Sequence, residues 1–446
     1  MKKIKSDIII ENGVVLTVDE NDTIIKKGAV AVLDGKIIGV DEEATIKENF
    51  SAAKKIDAKE GIIMPGLINT HTHLAMSLLR GVADDVSLNS WLRDYIFPLE
   101  EQFMDKTSVY AGSMLSCAEM ALSGTTTFCD MYFFEKEVGR AAEKIGIRGV
   151  IGEGIVASGK DEEKIWQKKK ELTTELVKKF SRSKLISIGV KPHSPYTCSG
   201  KILQKAKKFS KERGLLYVVH LAETEEEFSD FKKSEGLTPT QYLEKLGVLD
   251  GSTLAAHCVW MEDGDSDIFK KHEVKISHCP QSNMKLGSGI APVVKFLKKG
   301  IIVSLGTDGA ASNNTLDMFS EMKAAALLAK VNNQDPQAFS AKEAVHMATI
   351  KGAEALGKKA EIGSLKVGKK ADIIIVGLDK PHLTPIYNYY SHLVYCANGT
   401  DVETSIVDGR VVMLNKRIKN ADLADIMKKA NFIATKIKKG AQARIT

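Results

Sequence analysis

The 446-residue sequence predicts an α/β protein: a (β/α)8 barrel joined to a small β-sandwich domain formed by both termini. Three observations carry that expectation. Eight short apolar runs alternate with helix-like stretches through the middle of the chain, the pattern of parallel βαβ units. Hairpin-rich segments lie at both ends, and neither is long enough to make a stable sheet alone. Histidines and carboxylates gather at the C-terminal ends of the apolar runs, the edge on which barrel active sites assemble.

The elements follow in order. Asp7–Ile10, Val14–Val18, Ala29–Leu33 and Lys36–Val40 are β-rich, with Asn12-Gly13 and Asp34-Gly35 as hairpin signals. At the far end Ala371–Val376 and Thr404–Val407 are strand-like, and Asp408-Gly409 turns into Arg410–Leu414. The expected division is therefore 1–60 plus 362–446 for the composite β-domain and 61–361 for the barrel. The barrel runs are Ile62–His73, Thr125–Met131, Ile147–Val156, Ile186–His193, Leu216–Ala222, Thr253–Trp260, Val274–His278 and Ile301–Thr307. A doubly wound open sheet would show the same alternation, and periodicity does not separate the two. Met76–Ser123 is too long for one helix, so an extra loop and helix are expected over the barrel mouth.

Composition narrows the class without naming a chemistry. Hydrophobic residues make up 43% and charged residues 27%, as in globular proteins. Lys plus Arg number 63 against 57 Asp plus Glu, a net charge of +6. Lysine runs such as Lys168-Lys169-Lys170 sit in helix-like segments and read as solvated faces, not as a nucleic-acid patch. The six cysteines form no C-x-x-C pair and fit reduced thiols. The N-terminus turns acidic before an apolar signal region could form, and no apolar run nears the ~18 residues of a membrane span. The expectation is a cytoplasmic enzyme with a small-molecule substrate and no nucleic-acid or membrane partner. A homo-oligomer is compatible with it.

The strand ends carry the chemistry. They read His71-Thr72-His73, Pro192-His193-Ser194, His220-Leu221-Ala222-Glu223, His257-Cys258, His278-Cys279 and Gly306-Thr307-Asp308. Residues i and i+2 of a strand share a face, so His71 and His73 can reach one metal. With His220 and Asp308 at matching ends they make a nitrogen-rich site suited to zinc or Fe(II).

These residues, led by Pro65-Gly66-Leu67-Ile68-Asn69-Thr70-His71-Thr72-His73, resemble the amidohydrolase superfamily over essentially the whole chain. His220-Leu221-Ala222-Glu223-Thr224, Ser282-Asn283-Met284-Lys285-Leu286 and Asp308-Gly309-Ala310-Ala311-Ser312-Asn313-Asn314 are similar to its deaminase and chlorohydrolase branch. The pattern is nearest to the deaminases of 5-methylthioadenosine, S-adenosylhomocysteine and 5′-deoxyadenosine. The resemblance implies one divalent metal, zinc or Fe(II), on His71, His73, His220 and Asp308. It implies hydrolytic deamination of an adenine nucleoside, with Glu223 protonating the ring, Asp308 moving the water's proton and His257 orienting the hydroxide. For substrate contacts it implies Glu100 on the ribose hydroxyls, His193, and Arg148 toward the 5′ substituent.

Alternatives stay open at this point. Lys191 near the end of strand four could bridge two metals, as in the binuclear amidases and lactonases, but the following Pro192-His193-Ser194-Pro195 resembles mononuclear deaminases. His278 could reach the site or only pack the barrel top. The family's second arginine beyond strand three is absent: Gly152-Glu153-Gly154 and a lysine-rich helix stand there. That departure disfavours the amino-acid tail of S-adenosylhomocysteine and leaves smaller 5′ groups. Guanine, pterin or triazine rings are the rival substrates.

Overall fold

The computed structural model describes residues 3–445, apart from the side chains of Asn89 and 441–445. Its strands are β1 (Ile4–Leu16), β2 (Ile24–Leu33), β3 (Lys36–Glu42), β4 (Phe50–Asp57) and β5 (Ile62–Pro65). There follow β6 (Leu67–Thr72), β7 (Thr125–Tyr132), β8 (Arg148–Ile155), β9 (Ile186–Pro192), β10 (Leu216–Leu221), β11 (Thr253–His257), β12 (Lys275–His278) and β13 (Val303–Leu305). The last four are β14 (Ile373–Val376), β15 (Val402–Val407), β16 (Arg410–Leu414) and β17 (Arg417–Ile418).

Strands β6 to β13 pair in sequence order, all parallel, in one eight-stranded sheet. Helices separate successive strands, so each crossover returns the chain to the same end, and the barrel expectation holds over the open sheet. Closure between β13 and β6 uses hydroxyls and an amide. Thr70 Oγ1 meets Ser304 Oγ at 2.8 Å and donates to the Leu305 carbonyl at 2.9 Å. Asn69 Nδ2 donates to Thr307 Oγ1 at 2.7 Å. The Asp308 N–H then donates to the His71 carbonyl at 2.9 Å, fastening the last strand end to the first. Gly306 makes that approach feasible: a Cβ there would lie 2.8 Å from the His71 amide nitrogen.

The terminal strands form one nine-stranded sheet, in the order β17-β16-β15-β14-β5-β1-β2-β3 with β4 beside β1. It curls on itself: Ile8, Val30, Val32 and Ile37 from one end share a core with Ile373, Ile375 and Ile406 from the other. The turns at Asp34-Gly35 and Asp408-Gly409 meet there. Both glycines have positive φ, and a Cβ on Gly409 would stand 2.6 Å from the Gly35 Cα. The sandwich is thus a folded single sheet.

Two boundaries differ from those expected. The run Ile62–His73 is broken at Gly66. Its first half, β5, pairs with β1 and β14 in the terminal sheet, and only its second half enters the barrel. One apolar run can serve two sheets because both are buried there, and periodicity does not register the change. The C-terminal helix Leu423–Ile445 leaves the β-domain and packs on helix Lys106–Leu122 through Ile426, Ala430 and Ile437. The excursion after β6 holds short helices and the helix Phe97–Phe103 at the barrel mouth. In helix Glu162–Lys179 the buried face is Trp166, Thr173 and Leu176, while Lys168 and Lys170 face water. The cysteines are free, with Cys396 exposed and the others buried. Among the described residues no helix is long and apolar enough to cross a membrane.

Candidate active site and metal centre

The C-terminal ends of β6, β10, β11 and β13 deliver His71, His73, His220, His257 and Asp308 to one spot. His71 and His73 project together, as strand spacing requires, with their rings 4.9 Å apart. His71 lies 4.7 Å from the His220 ring and 5.4 Å from the His257 ring. Asp308 Oδ1 stands 3.4 Å from His71 Nε2 and 3.1 Å from His73 Nε2. Donor atoms of His71, His73 and Asp308, and separately of His71, His220 and His257, lie within 4.8 Å of one another. His257, for which the resemblance implies orienting the hydroxide, therefore belongs to the same cluster as His220, its ring somewhat farther from that of His71.

The hydrogen bonding fits a cation. Nδ1 of His73 donates to the Met131 carbonyl at 2.5 Å, and Nδ1 of His220 to the His193 carbonyl at 2.8 Å. Nδ1 of His257 donates to Asn283 Oδ1 at 2.9 Å. With Nδ1 spent on an acceptor, all three imidazoles turn Nε2 inward, the arrangement seen around ligating histidines. Burial works against charge on His73, but Asp308 outweighs it and raises the imidazole to about 9, so a cation bound there would take the place of that proton. Both ring nitrogens of His71 are buried with no hydrogen-bond partner. Burial drives the His71 imidazole down to about 3 and holds His220 well below its ordinary value, so both are neutral. A buried polar atom without a partner is costly, and a metal on Nε2 would remove that cost at that atom.

Asp308 is oriented from behind. Its Oδ2 accepts from Ser282 Oγ at 2.7 Å and Ser312 Oγ at 2.8 Å, leaving Oδ1 for the histidines. Burial raises its carboxyl, but the facing His71 and His73 imidazoles outweigh that and hold it well below the carboxylate range. Glu223 sits at the rim, buried, with Oε2 3.8 Å from His257 Nε2. Burial pushes its carboxyl up, which favours the protonated form. Ala222, His257 and Asp308 all have positive φ, near +50°, +70° and +61°. Strained non-glycine backbone of this kind collects at functional sites.

A cavity of about 350 Å³ opens over the cluster. His73, His220, His257, Asp308 and Glu223 form its floor, and Glu100, Tyr132, His193, Trp91 and Phe133 are among its walls. Glu100 comes from the excursion after β6, as expected, and accepts a hydrogen bond from Tyr132 Oη at 2.5 Å. The His193 ring lies 4.5 Å from that of His220, its Nδ1 3.0 Å from Thr197 Oγ1.

The structure does not bring Arg148 here. At the N-terminal start of β8, it is 2% exposed and pairs with Asp372 through Nε at 2.9 Å and Nη2 at 3.0 Å. A residue that opens a barrel strand lies at the opposite end from the site, so Arg148 ties the barrel to the β-domain. Lys191 is also occupied. Its ammonium donates to the Asp130 and Val150 carbonyls inside the barrel, and it does not line the cavity. His278 lines a separate small cleft with Ile290 and Val293.

Sequence reasoning assigned no role to Tyr132, Ser282, Asn283 or Ser312. The last three lie in motifs that were visible, but only tertiary contacts give them partners. Glu227, which the sequence does not single out, accepts from the Ala222 and Glu223 N–H groups through its carboxylate.

Fold and site define a (β/α)8 barrel protein with a histidine-rich candidate metal centre at its strand ends. More particularly, the chain belongs to the amidohydrolase family, whose model matches residues 62–412. It is 46% identical over 445 residues to a 5′-deoxyadenosine deaminase of Methanosarcina acetivorans, covering 98% of this chain and 100% of that one. It is 42% identical over 434 residues to a 5-methylthioadenosine/S-adenosylhomocysteine deaminase of Syntrophobacter fumaroxidans, covering 97% and 99%. An adenosine deaminase of Xanthomonas campestris, solved with bound zinc, superposes with a TM-score of 0.94 at 31% identity, covering 98% and 100%.

Proposed function

We propose that the protein is a metal-dependent hydrolytic deaminase of adenine nucleosides whose 5′ group is small and uncharged. 5′-Deoxyadenosine, 5-methylthioadenosine and adenosine fit that description. The observation that carries the choice is the wall of the cavity. It sets Glu223 beside the histidine cluster, includes Glu100, and among the described residues has neither a lysine nor an arginine. A carboxylate-bearing 5′ tail held within this cavity would lack a cationic partner, an expensive state; the adjoining cleft, which shares Leu88, Leu92, Tyr196 and Leu286 with it, carries Arg93.

His71, His73, His220 and Asp308 would hold one divalent ion, zinc by analogy with the relative solved with it. Such an ion, when bound, supplies a water nucleophile ionised near neutral pH. The side chains do the rest. Glu223 carries a proton that it delivers to N1, which makes C6 of the ring open to attack. His257, its tautomer fixed by Asn283, orients the nucleophile through Nε2. Asp308 Oδ1 accepts the proton released from water and passes it to the departing amine. Glu100 accepts from the ribose hydroxyls, and His193 borders the nucleoside. Against two metals stands Lys191, spent on backbone carbonyls.

The test is ammonia release from a panel of 5′-substituted adenosines, guanine, a pterin and a chlorotriazine, together with metal analysis. Turnover confined to adenosines with small 5′ groups and metal near one per chain support the reading. Preference for guanine, a pterin or a triazine overturns the substrate assignment, and two metals per chain overturn the mononuclear one.

A further inference from the structure

The three glutamates that open the helix Glu225–Glu235 are not equivalent. Glu225 and Glu226 face water, and Glu227 turns back toward the barrel. Thr224 caps the helix, its Oγ1 accepting from the Glu227 N–H at 3.1 Å. In an ordinary capping box the glutamate would return the bond to the N–H of Thr224 itself. Here it reaches further. Oε1 accepts from the Ala222 N–H at 3.1 Å and Oε2 from the Glu223 N–H at 2.8 Å.

Those two amides bracket the bend that aims Glu223. Ala222 has a φ near +50°, an uncommon conformation for a residue with a side chain, so the bend must be held by its surroundings. The other side of the same residue is also fixed. The Ala222 carbonyl accepts from the Val259 and Trp260 N–H groups, each at 3.0 Å. Glu227 thus supplies half of a clamp whose remaining half is the loop after His257. Released from it, the chain between His220 and Thr224 could relax, and the Glu223 carboxyl would leave its place beside His257.

We propose that Glu227 is the positioning residue for Glu223, a carboxylate that touches no substrate and sets the angle at which the acid meets the purine ring. The proposal rests on the reading of Glu223 as the proton donor to N1.

The experiment is a double-mutant cycle in the full-length, metal-loaded enzyme, using Glu227→Gln, Glu223→Gln and the pair. Gln keeps the size of Glu227 but turns an NH2 toward one of the two amides. Glu227→Gln should lower kcat about 10–100-fold, as removal of an orienting partner does, with metal content and KM nearly unchanged. On top of Glu223→Gln it should cost less than about threefold, since there is no proton donor left to aim. Binding supplies a readout independent of turnover. Glu227→Gln should weaken a nucleoside inhibitor bearing a tetrahedral, hydroxylated carbon in place of C6, yet leave affinity for the inosine-type product unaltered. Full multiplicativity of the two losses, or equal weakening of inhibitor and product, overturns the positioning role. An unaffected kcat in Glu223→Gln overturns the proton-donor reading itself, which separates the two failures. If Glu227→Gln unfolds at assay temperature, Glu227→Asp replaces it. Its shorter carboxylate keeps the charge but not the reach, and an active, wild-type-like Glu227→Asp overturns the proposal.

Discussion

Glu100 offers a test that uses pH as the perturbation. Half-buried at the barrel mouth, its carboxyl is raised to about 7 by desolvation, although the Tyr132 hydroxyl and the charge of His73 pull the other way. If its ionised form accepts the ribose hydroxyls, lowering the pH removes that acceptor. With a pKa of about 7, roughly one molecule in ten is ionised at pH 6 and nine in ten at pH 8. The KM for an adenine riboside should therefore be about nine- to tenfold higher at pH 6 than at pH 8. The 2′,3′-dideoxy analogue, which has no hydroxyls to offer, serves as the control. Groups such as Glu223 and Asp308 titrate alike for both substrates, so the ratio of the two KM values isolates Glu100. Glu100→Gln should flatten that ratio. Tyr132→Phe removes a hydrogen bond that lowers the Glu100 pKa, so the break in the ratio should move to higher pH. Steady-state kinetics across pH 5.5 to 8.5, in steps of about 0.5 on either side of that value, give the answer. A ratio constant over this range in the wild type would refute the assignment of Glu100 to the ribose.

Two further outcomes follow from the same contacts. Ser282→Ala combined with Ser312→Ala strips both hydrogen bonds from Asp308 Oδ2, and should weaken metal retention about 10–100-fold; an unchanged midpoint in a chelator titration speaks against this orienting role. Arg148→Met leaves Asp372 buried without its guanidinium, and should cost about 3–5 kcal/mol of stability with substrate KM unaltered. Urea unfolding and kinetics check it together, and a KM increase at unchanged stability would return Arg148 to the substrate.

Much of this was legible because it is written in local sequence. Period-two and period-3.6 patterns specify strands and helices wherever one face is buried. Polar residues at the ends of apolar runs mark the barrel mouth, because a parallel sheet buries everything else. His71 and His73 share a face by strand geometry alone, and His220 and Asp308 join them once the strands are parallel. The family resemblance rests on the same motifs, and the matched family bears it out.

Long-range approach decided the rest. Arg148 opens β8, which in a parallel barrel puts it at the end away from the site, yet nothing in its neighbours names its partner. That depends on which strand terminus faces the β-domain, where Asp372 waits. Ile62–Pro65 and Leu67–Thr72 form one apolar run, but they enter different sheets because β14 (Ile373–Val376), from the far end of the chain, pairs with the first. Ser282, Ser312 and Asn283 acquire roles only when strand-seven and strand-eight loops converge on Asp308 and His257. Glu227 looks like a solvated charge among three, and only the left-handed turn at Ala222 presents it with two amides. The sequence by itself determined which residue types stand at the strand ends, since alternation and burial are local properties. The tertiary structure decided which of them meet and how they are aimed, since hydrogen bonds between side chains of different strand ends and loops leave no periodic trace.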